Sequence, residues 1–538
     1  MKKILYTAVC GALMLSSCSG FLDSEPITTI TDVNYYKTVS DAEAALIGCY
    51  AGLQKVYNSG DIPLPILSEV CSDNTFGATG FTDDYKYQVI DNFDKDAAAG
   101  LVNILESSYE YYYKGLYRCN MLLSKLDQID WEGDEDYRNE VETETRFIRA
   151  YLFFDMARIW ERVPLKLDTE SGNTPQATAE EIYAQIASDL KFAVDSGSTS
   201  INQGHSNKYV AQSLLARVYL FYTGYYNKTS MTTTEGEIIS KDYVLKGLED
   251  VIAGGSYSLV SEYKTLWPAA SAVFDAKTNT IDRSAFAGVY NSEIVFSIKY
   301  NITSDYNGNT DGNQWLVMLG VRNNGYVPPY GQGWGACTVL PSLYQAYQDI
   351  DTRRDASIIN LASEYTDFDN SGQREHTGYM NKKYTTLSGV KEDGTYDDWA
   401  VINGAVDFQI GQFQDYYVMR YADVLLMAAE LGSSKAQTYF DLVRTRAGLP
   451  SIAVSKDNIM AERRLEFAFE GLRFYDLLRQ GVDVAASAVA VNTKVENGGS
   501  SETKIITAAK LQTTKGFQQI PANVITRSGG VITQNAGW

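Results

Sequence analysis

Long segments in which apolar residues recur at helical spacing place the strongest constraint on how this chain can fold. In the segment about 138–160, Phe147, Ala150, Tyr151 and Phe154 share one face of a predicted helix. Comparable segments occur along both halves of the chain, at about 40–56, 97–127, 180–194, 207–226, 340–354, 421–431 and 435–447. Each apolar stripe needs a neighbouring element to cover it, so the pattern predicts a fold dominated by packed α-helices.

Small and aromatic residues paired on these predicted helices, such as Ala150 and Phe154, are typical of tetratricopeptide-like helix pairs. No strict 34-residue period is present, so any such repeats are divergent. From Gly254 to Arg374, glycine, asparagine, serine and tyrosine dominate, and short alternating runs such as 294–298 predict strands. We therefore predict an all-α dominated fold, with tetratricopeptide-like helix pairs forming a scaffold. A long loop-rich insert at 254–415 carries the short strands.

The segment Glu462–Gly481 is the densest mixture of charged and apolar residues in the chain. Its spacing predicts one helix with Glu462, Glu466 and Glu470 stacked along one side, followed by a loop-rich tail. Such a row is either a catalytic carboxylate cluster or part of a structural helix whose glutamates pair with nearby arginines. Because the glutamates are interleaved with core-facing residues, we interpret the segment as structural. Loss of Glu466 or Arg464 should then damage folding before binding.

The first eighteen residues have the pattern of an export signal. Lys2 and Lys3 precede an apolar run, and Leu15–Cys18 closes that run with small residues before a cysteine. The sequence L-S-S-C resembles a bacterial lipobox, which predicts lipid attachment to Cys18. An ordinary signal peptide with an incidental cysteine is the alternative. No later segment is apolar enough to cross a bilayer.

These patterns predict the domain organisation. We expect residues 1–17 to be a lipoprotein signal peptide and residues 18–538 to form a single domain. Within that domain we expect an N-terminal helical half at 18–253, the loop-rich ligand-binding insert at 254–415 and a C-terminal helical half at 416–538.

Composition argues against several classes of function. The chain has 538 residues and a net charge of −21, so it lacks the basic surface that nucleic-acid binding requires. Its two histidines, His205 and His376, are far apart in sequence, which argues against histidine metal sites and Ser-His-Asp catalysis. The sequence contains no P-loop, metalloprotease or nucleophile-elbow motif. A G-x-G-x-x-A match at Gly331–Ala336 follows two prolines rather than a predicted strand, which argues against a nucleotide site there. We predict no catalytic residue and no metal-binding residue.

Two segments begin like calcium-binding loops, at Asn307 and at Asp367. Position twelve is Met318 in the first and Gly378 in the second, where a calcium loop has a bidentate glutamate. Polar turns are the favoured interpretation. No cofactor is predicted, and a calcium ion stays open as an alternative.

Aromatic residues in the loops are the candidate ligand contacts. Flat rings suit the apolar C–H faces of sugars, and neighbouring asparagine, aspartate and glutamine side chains can bind hydroxyl groups. Packing within the loops is the alternative for each ring. The candidate binding residues are Trp315, Tyr326, Tyr330, Trp334, Phe81 and Phe76.

Several motifs resemble the SusD/RagB family of outer-membrane lipoproteins. They are C-S-G-F-L-D-S-E-P at Cys18–Pro26, T-R-F-I-R-A-Y-L-F-F-D-M-A-R-I-W-E-R-V-P-L at Thr145–Leu165, S-L-L-A-R-V-Y-L-F-Y at Ser213–Tyr222, R-Y-A-D-V-L-L-M-A-A-E at Arg420–Glu430, V-R-T-R-A-G-L at Val443–Leu449, E-R-R-L-E-F-A-F-E-G-L-R-F-Y-D-L-L-R at Glu462–Arg479 and the terminal Q-N-A-G-W. The motifs follow the family's order from Cys18 to Trp538.

The resemblance implies four tetratricopeptide-like helix pairs that support a loop-rich ligand-binding face. It implies a non-enzymatic protein, lipid-anchored at the outer membrane and facing the cell exterior. Such a protein captures glycans and delivers them to a SusC-like TonB-dependent transporter. The family's sugar-binding aromatics lie in the corresponding loops. The resemblance therefore assigns a sugar-binding role to the candidate residues by the region in which they lie, and not residue by residue. Three alternatives stay open: a peptide-capturing member of the family, an all-α surface glycosidase, and a helical scaffold that binds only another protein.

Overall fold

The computed structural model describes residues 35–58, 62–98, 100–322, 325–365 and 368–538. The predicted signal peptide and Cys18 lie outside these residues. Helices dominate the described chain, and its strands are short and paired two by two. The predicted fold class, a helical scaffold with short strands in a loop-rich insert, is confirmed.

The helices are numbered here in chain order. They are α1 Val39–Asn58, α2 Leu64–Val70, α3 Lys86–Asp91, α4 Glu106–Lys125, α5 Glu135–Trp160, α6 Ala179–Ser196, α7 Lys208–Tyr225, α8 Lys241–Ala253, α9 Pro268–Ser271, α10 Trp315–Leu319, α11 Pro341–Ala346, α12 Arg353–Ser357, α13 Leu361–Glu364, α14 Trp399–Ile402, α15 Tyr421–Glu430, α16 Ala436–Arg446, α17 Lys456–Glu466, α18 Arg473–Leu478, α19 Val482–Val489, α20 Ala508–Thr514 and α21 Ala522–Arg527.

The strands form antiparallel pairs. They are β1 Thr75–Ala78, β2 Met231–Thr232, β3 Ile238–Ile239, β4 Val273–Asp275, β5 Thr280–Asp282, β6 Ile294–Ile298, β7 Ala336–Val339, β8 Ile358–Asn360, β9 Tyr379–Asn381, β10 Ser388–Val390, β11 Tyr396–Asp398, β12 Tyr416–Arg420, β13 Val491–Asn497 and β14 Ser500–Ile506. The pairs β1–β7 and β6–β12 join distant parts of the chain, whereas β13–β14 is a local hairpin.

The longer helices pack side by side in pairs. α1 packs on α4, α5 on α6, α7 on α8, and α15 on α16. Contacts of α4 with α5, α6 with α7 and α8 with α15 join these pairs into one row. Each apolar stripe is therefore covered by a neighbouring helix, as the sequence pattern requires.

A single large hydrophobic core runs through this row and includes the C-terminal tail. Its members range from Ala42 on α1 to Ile532 near the C terminus. Trp160, at the end of α5, is fully buried, and its Nε1 donates to the carbonyl of Gln519 at 3.1 Å. The tail is therefore fastened to the middle of the helical row.

A buried network of ion pairs connects the insert to the C-terminal helices. Arg420, at the end of β12, is fully buried and lies 2.8 Å from the carboxylates of both Glu466 and Glu470. Glu466 also pairs with Arg353 and Arg446. Burial raises the pKa of Glu466, but the charges of Arg446, Arg420 and Arg353 outweigh this effect and hold the pKa well below its usual range. The burial of these charges is tolerated because each has a partner.

The prediction of a single helix over Glu462–Gly481 is wrong. α17 ends at Glu466 and α18 begins at Arg473, and the residues between them form a turn. Glu470 therefore lies in the turn rather than on the helix with Glu462 and Glu466.

Gly471 shows why the chain turns at this point. Its φ is +75°, and an added Cβ would lie 2.9 Å from the Cα of Pro65 on α2. Its N–H donates to the buried carboxylate of Glu69 at 3.0 Å. The turn also lets Glu470 reach the ammonium of Lys383 at 2.7 Å. A break in the helix thus relieves the repulsion expected along one face, and the structural interpretation of the segment is confirmed.

Other predicted boundaries also differ from the structure. The helix predicted over 97–127 begins at Glu106, and the segment 340–354 contains α11 and part of α12 rather than one helix. The tail predicted to be loop-rich contains α19, α20, α21 and the β13–β14 hairpin.

The ion-pair network predicts a large effect of removing one carboxylate. Glu466→Ala should lower the free energy of unfolding by about 3–5 kcal/mol, because three buried guanidinium groups lose a shared partner. Urea unfolding followed by circular dichroism measures this change. The control is Asp250→Ala on α8, which removes an exposed pair with Lys246 and should cost at most about 1 kcal/mol. Equal stability of the two variants would contradict the structural role of Glu466.

Candidate functional site

Three of the six candidate aromatic residues are buried in the interior. Trp315 is fully buried, and its ring centroid lies 4.7 Å from that of Tyr384. Phe76 is buried beneath the β13–β14 hairpin. Tyr330 stacks on Tyr365 with centroids 5.7 Å apart. None of these three presents an open ring face, so packing explains their positions.

The other three candidates reach the surface. Phe81 is 46% exposed. Trp334 and Tyr326 are half-buried, and the hydroxyl of Tyr326 donates to Asp397 at 3.2 Å. Tyr85, which was not among the candidates, is 50% exposed and lies on the same loop as Phe81. Three of the six candidates therefore leave aromatic surface on the loops, and Tyr85 adds to it.

Four loop segments meet around Phe81 and Trp334, and we call this surface the loop face. It consists of the described residues of 79–85, 320–335, 370–376 and 497–499. Backbone hydrogen bonds join these segments. The N–H of Phe81 donates to Gly372 at 3.0 Å, that of Thr79 to Gly335 at 3.1 Å, and that of Gly498 to Gln373 at 2.9 Å. Parts of the chain that are up to four hundred residues apart in sequence thus build one surface.

Arg374 holds the loop that carries the two exposed rings. Its side chain is buried, and the guanidinium donates to the carbonyls of Phe81, Asp83 and Asp84 at 2.8, 2.9 and 3.1 Å. The guanidinium also lies 3.9 Å from the centroid of the Tyr85 ring. One cation therefore fixes the backbone of the loop and one face of Tyr85.

Arg322 lies beside the exposed rings. Its guanidinium packs against Gly80, where an added Cβ would lie 2.4 Å from Cζ. Its Nη1 donates to the carbonyl of Trp334 at 3.3 Å and lies 3.6 Å from the carboxylate of Asp83. The Arg322 side chain is 32% exposed and that of Asp83 is 42% exposed. The loop face thus combines aromatic rings with an accessible cation and an accessible carboxylate.

The β13–β14 hairpin supports the loop face from behind. A Cβ added to Gly498 would lie 3.0 Å from the ring of Phe81, so the hairpin tip packs on that ring. Lys504 on β14 is buried between the carboxylates of Asp91 and Glu375, at 2.5 and 2.6 Å. Burial raises the pKa of Asp91 to about 7 despite the charge of Lys504. These ion pairs join the hairpin to the end of α3 and to the loop of Glu375.

Of the two segments that begin like calcium loops, the one at Asn307 lies wholly within the described residues. In the first, Asp305 accepts hydrogen bonds from the backbone of Asn307 and Asn309, which is the arrangement of a polar turn. The second begins at Asp367, outside the described residues. Within the described residues, no group of three or more histidine, cysteine, aspartate or glutamate side chains is arranged to hold a metal ion.

Two family models match this chain in successive stretches. One, described as "Starch-binding associating with outer membrane", matches residues 20–220, and the other, described as "SusD family", matches residues 292–538. The chain belongs to the SusD/RagB family. The description of the first model associates the family with the outer membrane. No helix in the described part of the chain is both long and apolar enough to span a membrane.

Relatives of the SusD/RagB family resemble the chain along most of its length. A SusD-like protein of Bacteroides ovatus is 25% identical over 514 residues, which cover 89% of this chain and 82% of the relative. The SusD-like protein P2 of Formosa agariphila is 24% identical over 524 residues, which cover 89% of this chain and 91% of the relative.

Solved structures of SusD-like proteins have the same fold. A laminarin binding SusD-like protein superposes with a TM-score of 0.71 at 26% identity, covering 94% of this chain and all of that chain. Surface glycan-binding protein A from Bacteroides thetaiotaomicron, in complex with laminarihexaose, superposes with a TM-score of 0.72 at 22% identity. That alignment covers 93% of this chain and all of the other, and it bears on the fold alone.

The role of Arg374 can be tested by exchange of backbone amide hydrogens. Arg374→Met keeps the length of the side chain but removes its donors, and hydrogen bonds to a charged group contribute about 1.5–3 kcal/mol each. We expect the amides of Thr79 and Phe81 to exchange at least about tenfold faster, as measured by mass spectrometry. Arg527→Met, at a side chain that is 56% exposed, is the control. Unchanged exchange in the first variant would show that the loop does not depend on Arg374.

Proposed function

We propose that this protein captures glycans at the loop face. The observation that carries the proposal is the exposure of the Phe81 and Tyr85 rings on a loop that a buried cation holds in place, with Arg322 packed against Gly80 of the same loop. Rings fixed in this way can bind sugar C–H faces without losing much conformational freedom on binding. The guanidinium of Arg322 can donate to hydroxyl groups, and the carboxylate of Asp83 can accept from them.

The laminarin-binding relative supports this proposal, since it shares the fold over nearly the whole chain. It makes laminarin the first polysaccharide to test. The proposed role is binding without catalysis, because the relatives that are described with a glycan are binding proteins.

We further propose that the protein is a lipoprotein anchored through Cys18, with residues 1–17 removed. The supporting observations are the lipobox-like L-S-S-C and the outer-membrane association of the family. An exterior position would let the loop face meet polysaccharides too large to diffuse across the membrane. Delivery of the captured glycan to a SusC-like TonB-dependent transporter is part of the same proposal.

Affinity electrophoresis in gels that contain laminarin or other polysaccharides tests glycan capture. Retardation of the wild-type protein should weaken at least about tenfold in a Phe81→Ala/Tyr85→Ala variant, because each ring contact contributes about 1 kcal/mol. The matched control is Tyr117→Ala, at an equally exposed tyrosine on α4. If the gel retards the double variant as strongly as the wild type, the loop face is not the glycan-binding surface.

Failure of the wild-type protein to bind any polysaccharide in the panel, together with capture of peptides from a protein digest, would favour the peptide-capturing alternative. New reducing ends in the bound polysaccharide, lost when one carboxylate is replaced, would favour the glycosidase alternative.

The anchor is tested by membrane fractionation. We expect the wild-type protein in the outer-membrane fraction and Cys18→Ala in the soluble fraction, since acyl chains on this residue would provide the membrane attachment. Replacement of the buried Cys49 by alanine is the control for loss of a thiol alone. Membrane retention of the Cys18→Ala variant would contradict lipid attachment at that residue.

A further inference from the structure

A groove separate from the loop face lies between α1, the turn at 201–207 and the segment 289–301. It consists of two adjoining cavities of about 350 and 210 Å³, both lined by Gly204, Phe296 and Ser297. None of the residues that line it belongs to the loop face. We call it the Tyr290 groove, after its most exposed ring.

Solvent-exposed polar side chains line the groove. Those of Asn202, Gln203, Ser256 and Asn301 line the two cavities and make no hydrogen bond with any described residue. A primary amide carries both donors and an acceptor, so it can bind two neighbouring hydroxyl groups of one sugar. Free amides around a cavity are therefore suited to a ligand rich in hydroxyl groups.

Aromatic rings form the walls of the same groove. Tyr290 is 56% exposed, and the ammonium of Lys299 lies 3.9 Å from its centroid. Tyr50 lines one cavity and Tyr257 lines the other. Rings beside amides offer a surface for sugar C–H faces and partners for hydroxyl groups, on a part of the surface separate from the loop face.

The charges in the groove disfavour an anionic ligand, since the carboxylate of Asp311 lines one of the two cavities. Its basic residues are already paired, Lys299 with Asp415 at 2.5 Å and His205 with Glu144 at 2.8 Å. Neither basic side chain is therefore free to select an anionic ligand. We infer that the Tyr290 groove is a second saccharide-binding site, selective for neutral oligosaccharides.

This inference rests on the proposed function and extends it. If both sites contact one polysaccharide, binding at the second becomes intramolecular, and apparent affinity can exceed that of either site by about 10²–10⁴. A short oligosaccharide occupies the sites independently, so the second site shows in the stoichiometry rather than in the affinity.

Two double variants test whether saccharide binding depends on the groove or on exposed tyrosine and asparagine side chains in general. Tyr290→Ala/Asn202→Ala removes an exposed ring and an exposed amide from the groove. The matched control, Tyr117→Ala/Asn139→Ala, changes the same residue types at exposed positions on α4 and α5. Since all four side chains are exposed, we expect every variant to fold as the wild type does, which circular dichroism checks.

Isothermal titration calorimetry with laminarihexaose, or with the hexasaccharide of whichever polysaccharide the gel assay retards, measures the number of sites. We expect two per chain in the wild type and in the control variant. One site per chain should remain in the groove variant, Tyr290→Ala/Asn202→Ala, and one site per chain should remain in Phe81→Ala/Tyr85→Ala. In polysaccharide gels, the groove variant should lose at least about tenfold in affinity.

The possible results separate this inference from the proposed function. One site in the wild type, abolished by Phe81→Ala/Tyr85→Ala and unchanged in the groove variant, overturns the groove and leaves glycan capture standing. One site that is lost only in the groove variant supports the groove and overturns the role of the loop face. No binding of any saccharide by the wild type overturns both.

Discussion

The buried pairing of Arg420 with Glu466 and Glu470 is the interaction on which the rest of the structure depends. Arg420 ends a strand that pairs with β6 of the insert, while the two glutamates lie at the end of α17 and in the turn that follows it. One guanidinium therefore joins the insert to the C-terminal helices. Because the desolvation of such charges costs several kcal/mol, the network tolerates only the arrangement in which every member is paired. It therefore specifies how the insert sits on the helical row.

The loop face is also held together by buried cations that join segments far apart in sequence. Loops cannot hold their shape through repeating hydrogen bonds, and a buried cation can replace these by binding several carbonyl groups at once. Arg374 does this for the loop of Phe81 and Tyr85, and Lys504 fastens the β13–β14 hairpin to Asp91 and Glu375. The rings are thus exposed yet held by buried neighbours. This limits the conformational entropy that the loop loses when a ligand binds. Rigid support beneath exposed rings is what connects this fold to the proposed capture of glycans.

The aromatic residues show where reasoning from sequence succeeds and where it stops. Their concentration in loops correctly indicated an aromatic surface, but Trp315, Phe76 and Tyr330 are buried while Tyr85 is exposed. A loop residue has no periodic pattern that assigns it to the inside or the outside. Its exposure depends on which distant segment covers it: the hairpin covers Phe76, and Tyr384 packs on Trp315. The hairpin itself was missed, although alternating residues around Gly498 and Gly499 are a recognisable signal for one.

Local periodicity and ordered motifs in the sequence were enough to determine the helical scaffold, its family and the structural role of the glutamate-rich segment, because helices form from neighbours three and four residues apart. The tertiary structure decided the break after Glu466, the identity of the exposed rings and the meeting of four loops at one face. Each of these depends on contacts between residues far apart in sequence, such as Gly471 against Pro65 and Arg374 against the loop of Phe81. No local pattern encodes such contacts, since they arise only when the helical row has brought the segments together.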